Sequence, residues 1–192
     1  LHFDARLLAS YLQKVACSRG VQFIDDELTE LKSAENGDIK CLKTKQGLSL
    51  ETDFVFDCSG FRRLIIGKHY QSKWISYKNR LPVNRALPFF IPHDNQAIEP
   101  YTQAIAMRYG WMWKIPVQGR YGCGYVFDAN QISDADAMQE IEQFLGHPVE
   151  SPTVFNFEAG VYENLWINNA VSIGLSSGFL EPLEATSIMV QI

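Results

Sequence analysis

Two apolar runs end in small residues, and both ends could hold a ligand. Phe54-Val55-Phe56 leads into Asp57-Cys58-Ser59-Gly60. Ala170 to Leu175 leads into Ser176-Ser177-Gly178, with a helix expected from about Leu183. In open α/β sheets ligands collect outside the carboxyl ends of strands, and helix N-termini offer free N–H groups to anions. Taken alone, either run also reads as a tight turn made of small residues. Glu181 and Glu184 flank the second turn. A carboxylate there either complements a helix dipole or acts as a catalytic or ligand-orienting group at the mouth of a pocket. Trp111-Met112-Trp113 puts two indoles on one face of a strand. They form a core or cross-strand pair, or a flat wall beside a cofactor or aromatic substrate.

Other chemistries find little support. His2, His69, His93 and His147 lack metal-ligand spacing, so no metal is expected. No Walker A, G-x-G-x-x-G or G-x-S-x-G pattern occurs; Gly122-Cys123-Gly124 lies in a hairpin and lacks the third glycine. Arg62-Arg63, Lys68-His69, Lys73, Lys78 and Arg80 read most simply as a solvated basic loop. The 192 residues give room for one domain or slightly more, with 46% hydrophobic and 20% charged residues, an ordinary globular balance. A net charge of -5 provides no general basic field for nucleic acid. No apolar run reaches the roughly 18 residues that a membrane span needs. Cys17, Cys41, Cys58 and Cys123 stand singly, which reads as a reducing, cytoplasmic chain. The start at Leu1 and the stop inside the apolar run Ser187 to Ile192 read as an internal segment of a larger protein.

Positioning these residues requires a mixed set of elements. Residues 4–19 read as an amphipathic helix with Asp4 as N-cap, Leu7, Leu8, Leu12 and Val15 at helical spacing, and Gly20 just past its end. Val21 to Ile24 begins a strand. Leu28 to Leu50, punctuated by Asn36-Gly37 and Gln46-Gly47, predicts a small antiparallel meander. Phe54-Val55-Phe56 suits a strand buried on both faces. Residues 61–82 read as irregular. Residues 83–127 read as β-rich, with strands over 102–107, 111–117 and 121–127 and a turn at Gln118-Gly119-Arg120. Ser133 with Asp136 resembles a capping box opening a helix that buries Ala137, Met138, Ile141, Phe144 and Leu145 and stops at Gly146. Thr153 to Tyr162 alternates like one strand. A parallel-type set (21–24, 54–56, 171–175) thus alternates with an antiparallel set, which suggests two interleaved domains.

Four stretches together resemble the flavin-dependent tryptophan halogenase family. They are His2-Phe3-Asp4-Ala5-Arg6-Leu7-Leu8, Asp53 to Gly60, the segment Glu99 to Pro116 with its W-x-W-x-I-P pattern, and Asn169 to Thr186 with Phe179-Leu180-Glu181-Pro182-Leu183-Glu184. The resemblance covers nearly the whole chain in order. It implies an α/β (α+β) fold class: part of an FAD-binding Rossmann-like domain with an interleaved antiparallel-sheet substrate domain. Residues 1–80 would belong to the FAD part, 81–165 to the substrate side, and 166–192 to the returning flavin and halide helix.

The activity implied is halogenation of tryptophan or another aromatic. FADH2 from a separate reductase, O2 and halide as co-substrate would yield hypohalous acid. Glu184 matches the family's catalytic Glu. Thr186 and Ser187 match the halide-binding backbone. Leu175, Ile188, Gly60, Gly174 and Leu28 match positions near the cofactor, and Trp111 and Trp113 match the tunnel that keeps substrate from flavin. The family's Lys and G-x-G-x-x-G would precede Leu1. No nucleic acid or membrane partner is implied, and a homodimer is open. The family usually reads F-x-x-P-x-x-S-x-G, whereas this chain has Phe179, Pro182, Ala185 and Ser187; a residue commonly basic is Val161. These departures keep two further readings open: an FAD-dependent monooxygenase or oxidase without halide chemistry, and a flavin-binding protein without turnover.

Overall fold

A computed structural model describes residues 2–93, 98–149 and 153–180. Along the chain run α1 (Ala5–Ser18), β1 (Leu28–Ser33), β2 (Ile39–Thr44), β3 (Ser49–Glu51), β4 (Val55–Asp57), a 3-10 turn (Gly60–Arg62) and a π-helical segment (Leu64–His69). Then come β5 (Trp74–Ser76), β6 (Arg85–Pro92), β7 (Gln103–Met107), β8 (Gly110–Val117), β9 (Arg120–Phe127) and α2 (Asp134–Leu145). The last elements are β10 (Phe155–Asn156), β11 (Gly160–Tyr162), β12 (Trp166–Ile167), β13 (Ala170–Ser172), a 3-10 turn (Gly174–Ser176) and β14 (Gly178–Phe179).

The chain divides into two compact units. One holds the described residues within 1–21 and 78–158; the other holds 22–77 and 159–180. The segments 1–80, 81–165 and 166–192 are a division by role, and these units cut the chain elsewhere.

The first unit is an antiparallel sheet in the order β10-β6-β9-β8-β7. One face carries Leu87, Phe89, Met112, Cys123, Tyr125 and Phe127, which pack with Ala137 and Ile141 of α2. Ser133 caps α2 as the sequence suggests: its Oγ accepts from Asp136 N at 3.2 Å and donates to Asp136 Oδ2 at 2.6 Å. Phe144, expected inward, is 53% exposed. Ala137, Ile141 and Leu145, spaced four apart, fill the buried stripe and leave position 144 on its flank. Asp4 caps α1, accepting from Arg6 N at 2.9 Å and Leu7 N at 3.2 Å.

The second unit contains three small sheets: the expected meander β1-β2-β3, the sheet β12-β13-β4, and the sheet β14-β11-β5. β13 and β4 run parallel, with Ala170 opposite Val55 and Ser172 opposite Asp57. Ile39, Val55, Ile65, Ile66 and Ala170 form its buried apolar cluster.

Several expectations need correction here. Residues 21–24 form no strand, and Val21, Phe23 and Ile24 are exposed; no neighbouring strand among the described residues closes their backbone hydrogen bonds. In β4, Val55 and Asp57 are buried but Phe56 is 63% exposed, so this strand alternates rather than being covered on both faces. Residues 61–82, expected to be irregular, contain the π-helical segment, whose first N–H groups meet an upstream carboxylate described below, and β5, which pairs with β11. The single strand read over 153–162 is two strands, β10 in the large sheet and β11 in a small one. The alternation continues unbroken because the chain changes sheets without a turn-forming residue pattern.

Candidate functional site

One buried carboxylate organises the end of β4. Asp57 is 1% exposed. Its Oδ1 accepts from Ser59 N at 3.0 Å, and its Oδ2 accepts from Ile65 N at 3.0 Å and Ile66 N at 3.2 Å. Ser59 Oγ accepts from Leu64 N at 2.9 Å. The first N–H groups of the π-helical segment, which have no partner within it, therefore find acceptors at the strand end. The carbonyl of Asp57 in turn accepts from Ile173 N at 3.0 Å and from Ser176 Oγ, whose hydroxyl also lies 2.7 Å from Ile173 O. Ser177 Oγ donates to Gly174 O at 2.7 Å. The two small-residue turns singled out in the sequence are thus stitched side by side at the carboxyl ends of a parallel strand pair.

Gly60 and Gly174 sit in these turns at φ 63° and 68°. Such backbone favours glycine. A Cβ at Gly60 would meet nothing within 4 Å, so the turn has open space on that side. A cleft of about 740 Å³ in the same unit is lined by Asp26, Leu28, Lys45, Ser59, Arg62 and Leu64, among others. It joins Leu28 to the neighbours of Gly60, and Gly174 and Leu175 lie on the adjoining turn. The hydroxyl of Thr44, then the N–H groups of Glu27 and Gln46, hold the Asp26 carboxyl below the usual carboxylate range. Lys45 pairs with Glu27 at 3.1 Å. Partial desolvation, and secondarily the charge of Asp57, push the thiol of the exposed Cys58 up.

Apolar, cationic and carboxylate groups around one cleft, beside an open glycine turn, fit a dinucleotide such as FAD. Leu28 and Leu64 would take apolar ring surface, Arg62 a phosphate, and a carboxylate sugar hydroxyls. Arg62 went unrecognised within a basic run that reads as solvated. Arg62 is itself exposed, whereas its neighbour Arg63 is half-buried, with its guanidinium 3.7 Å over the Trp74 ring. The available signal was two arginines two and three residues after a strand-end glycine.

Trp111 and Trp113 belong to the other unit. Their ring centroids are 6.0 Å apart at 58°. They lie on the sheet face opposite Met112, Cys123 and Tyr125, outside the buried cluster. Trp113 lines a cleft of about 260 Å³ with Phe3, Phe90, Ile115 and Arg120. Arg120 lies 3.9 Å over the Phe90 ring and 2.7 Å from Asp4. On the core face, burial pushes the Cys123 thiol up to about 12, which leaves it unreactive. Glu184, Thr186, Ser187 and Ile188 lie outside the described residues. No group of three or more metal-ligating side chains occurs among the described residues, and no helix among them is long and apolar enough to cross a membrane.

Comparison with known proteins agrees with this geometry. The family model described as tryptophan halogenase matches residues 1–192. The chain is 39% identical over 193 residues to the tryptophan 6-halogenase ThaL of Streptomyces albogriseolus, covering 97% of this chain and 36% of that protein. It is 38% identical over 192 residues to the tryptophan 7-halogenase RebH of Lentzea aerocolonigenes, with the same two coverages, 97% and 36%. The crystal structure of the tryptophan 6-halogenase SttH of Streptomyces toxytricini superposes with a TM-score of 0.92 at 38% identity, covering 98% of this chain and 38% of that one. BrvH, a flavin-dependent halogenase from Brevundimonas sp. BAL3, gives 0.91 at 35% identity, covering 97% and 38%. The chain therefore spans a little over a third of the length of these relatives. On a match to its entire length, and on a shared fold at this identity, the chain belongs to the tryptophan halogenase family.

Proposed function

We propose that these residues form part of a flavin-dependent halogenase acting on tryptophan or another aromatic. The observation that carries the reading is the paired turn, Asp57 to Gly60 against Gly174 to Ser177, opening on the cleft lined by Leu28 and Arg62. FAD, delivered reduced by a separate reductase, would give two electrons to O2, which takes the other two from halide and so yields hypohalous acid and water. The chain's own contribution is binding, separation and charge. Gly60, Gly174, Leu175 and Leu28, with Ile188, hold the cofactor. The backbone of Thr186 and Ser187 takes the halide. Trp111 and Trp113 form a wall that excludes water and keeps the aromatic away from the flavin. The Glu184 carboxylate stabilises the positive charge that develops on the arene. The relatives named for tryptophan support an indole substrate, and four singly placed cysteines suit a cytoplasmic setting. A homodimer is compatible with the family.

Ala185 and Ser187, where the family usually has Ser and Gly, favour a second reading, an oxygenase or oxidase without halide chemistry. One experiment separates the two. The full-length protein with FAD, a reductase, NADH and bromide is expected to give brominated indole by mass spectrometry. Unchanged substrate with released peroxide would overturn the halogenase reading and favour the two others, an oxygenase or oxidase and a flavin-binding protein without turnover. Glu184→Gln is expected to abolish bromination and to spare flavin binding. Ser187→Gly is expected to raise halide use if the added side chain obstructs the ion.

A further inference from the structure

We propose that Gly124 is a positioning residue that seats the Trp113 indole. Gly124 lies on β9 directly opposite Trp113 of β8, on the same sheet face as the two indoles. It is buried in the middle of the sheet, flanked by β6 and β8. A glycine there weakens a strand, and it commonly marks a close approach by another group. The approaching group is the indole. A Cβ at position 124 would overlap Cζ2 and Cη2 of Trp113 and stand 2.7 Å from Cε2. The ring therefore lies flat across β9, in the space that any other side chain would occupy.

The neighbouring glycine shows that this is specific. Gly122 lies two residues earlier on the same face, opposite Ile115. A Cβ there would meet only Ile115 O, at 4.0 Å. The Gly-x-Gly spacing that fails as a nucleotide fingerprint is thus one open position followed by one ring seat. The seat fixes the tilt of Trp113 against Trp111, with centroids 6.0 Å apart, and so sets the surface of the wall assigned above. A methyl group at 124 lifts the ring off the sheet and changes that surface. The activity consequence rests on the halogenase reading; the seat itself does not.

The test compares G124A, G122A, W113F and W113F/G124A in the full-length protein. Two indoles at this separation give an exciton couplet in circular dichroism that a merely structural lesion elsewhere would not move. G124A is expected to alter the couplet, and G122A to retain it. Halogenated product per flavin oxidised is expected to fall by up to about a hundredfold in G124A, the scale of effect that a misplacement of about 1 Å produces. In the W113F background, where Cζ2 and Cη2 no longer form a second ring, adding G124A is expected to change product yield by less than about twofold. An unchanged couplet in G124A, or equal damage by G124A with Trp or Phe at 113, overturns the proposal. If G124A does not fold, recovery of folding in W113F/G124A supports the seat, and failure of both variants overturns it. If the unmodified protein halogenates no aromatic, the halogenase reading falls and the couplet alone decides the seat.

Discussion

In the five-stranded unit the buried residues are almost all apolar: Leu87, Phe89, Met112 and Phe127 from the sheet, Ala137 and Ile141 from α2. In the other unit a smaller apolar cluster shares the interior with Asp57, Ser172, Ser176 and Ser177. The first arrangement depends on area and shape, and it yields a stiff surface on which two indoles can lie. The second depends on a few directed bonds to backbone, and it yields turns whose conformation is fixed while one side stays open for a ligand. The lesson is a division of labour. Apolar packing suits a wall that need only be rigid, whereas a cofactor cradle needs backbone presented in one particular way, which only polar groups can specify.

Substitutions can break or sharpen this contrast. The largest effect is expected from Asp57→Ala, which strands the N–H groups of Ser59, Ile65 and Ile66. It is expected to cost about 3–5 kcal/mol in denaturant unfolding of the full-length protein and to abolish flavin retention. A cost below about 1 kcal/mol would show that the carboxylate does not hold the turn. Ile141→Ala, in the apolar unit, is expected to cost about 3 kcal/mol through cavity formation. Flavin affinity should be unchanged, and a parallel loss of flavin would erase the distinction between the units. Tyr125→Phe tests the main polar tie of the apolar unit, where the phenol donates to Glu140 at 2.9 Å and accepts from Tyr109 N at 3.1 Å. The expected cost is about 1 kcal/mol.

The smallest effect concerns pH. The N–H of Leu7 first, with that of Arg6 and the Arg120 guanidinium, holds the Asp4 carboxyl below its usual range. The folded chain therefore releases this proton more readily than the unfolded one. Its support of α1 is present above pH about 4 and fades as pH falls through the lowered value. A small loss of helical circular dichroism should follow on acidification, and Asp4→Asn should show less of it. An equal loss in that variant would assign the effect to other groups.

What was legible in the sequence was local. Asp4 and Ser133 as caps, Gly146 as a stop, and the turns at Asn36-Gly37 and Gln46-Gly47 each depend on residues within one turn of one another. The strand ends that form the site were visible as small residues after apolar runs. Their adjacency was not, because Ser176 and Asp57 are 119 residues apart. The same reason hid the order in residues 61–82: the segment is started by a carboxylate eight and nine positions upstream, beyond the reach of a helical pattern. Gly124 was invisible as a ring seat because the register between β8 and β9 decides what lies above it.

Asn169 closes off a strand edge. Its amide accepts from Ile39 N at 2.8 Å and donates to Ile39 O at 2.8 Å, and also donates to Asp53 O at 3.0 Å. The paired register of β2 with β3 begins only at Cys41, so Ile39 lies beyond it. A bare strand edge is where another molecule can add a strand of its own and begin an aggregate. By imitating a peptide group, one side chain removes that invitation, and Asn169→Leu should reveal it as self-association on mild heating.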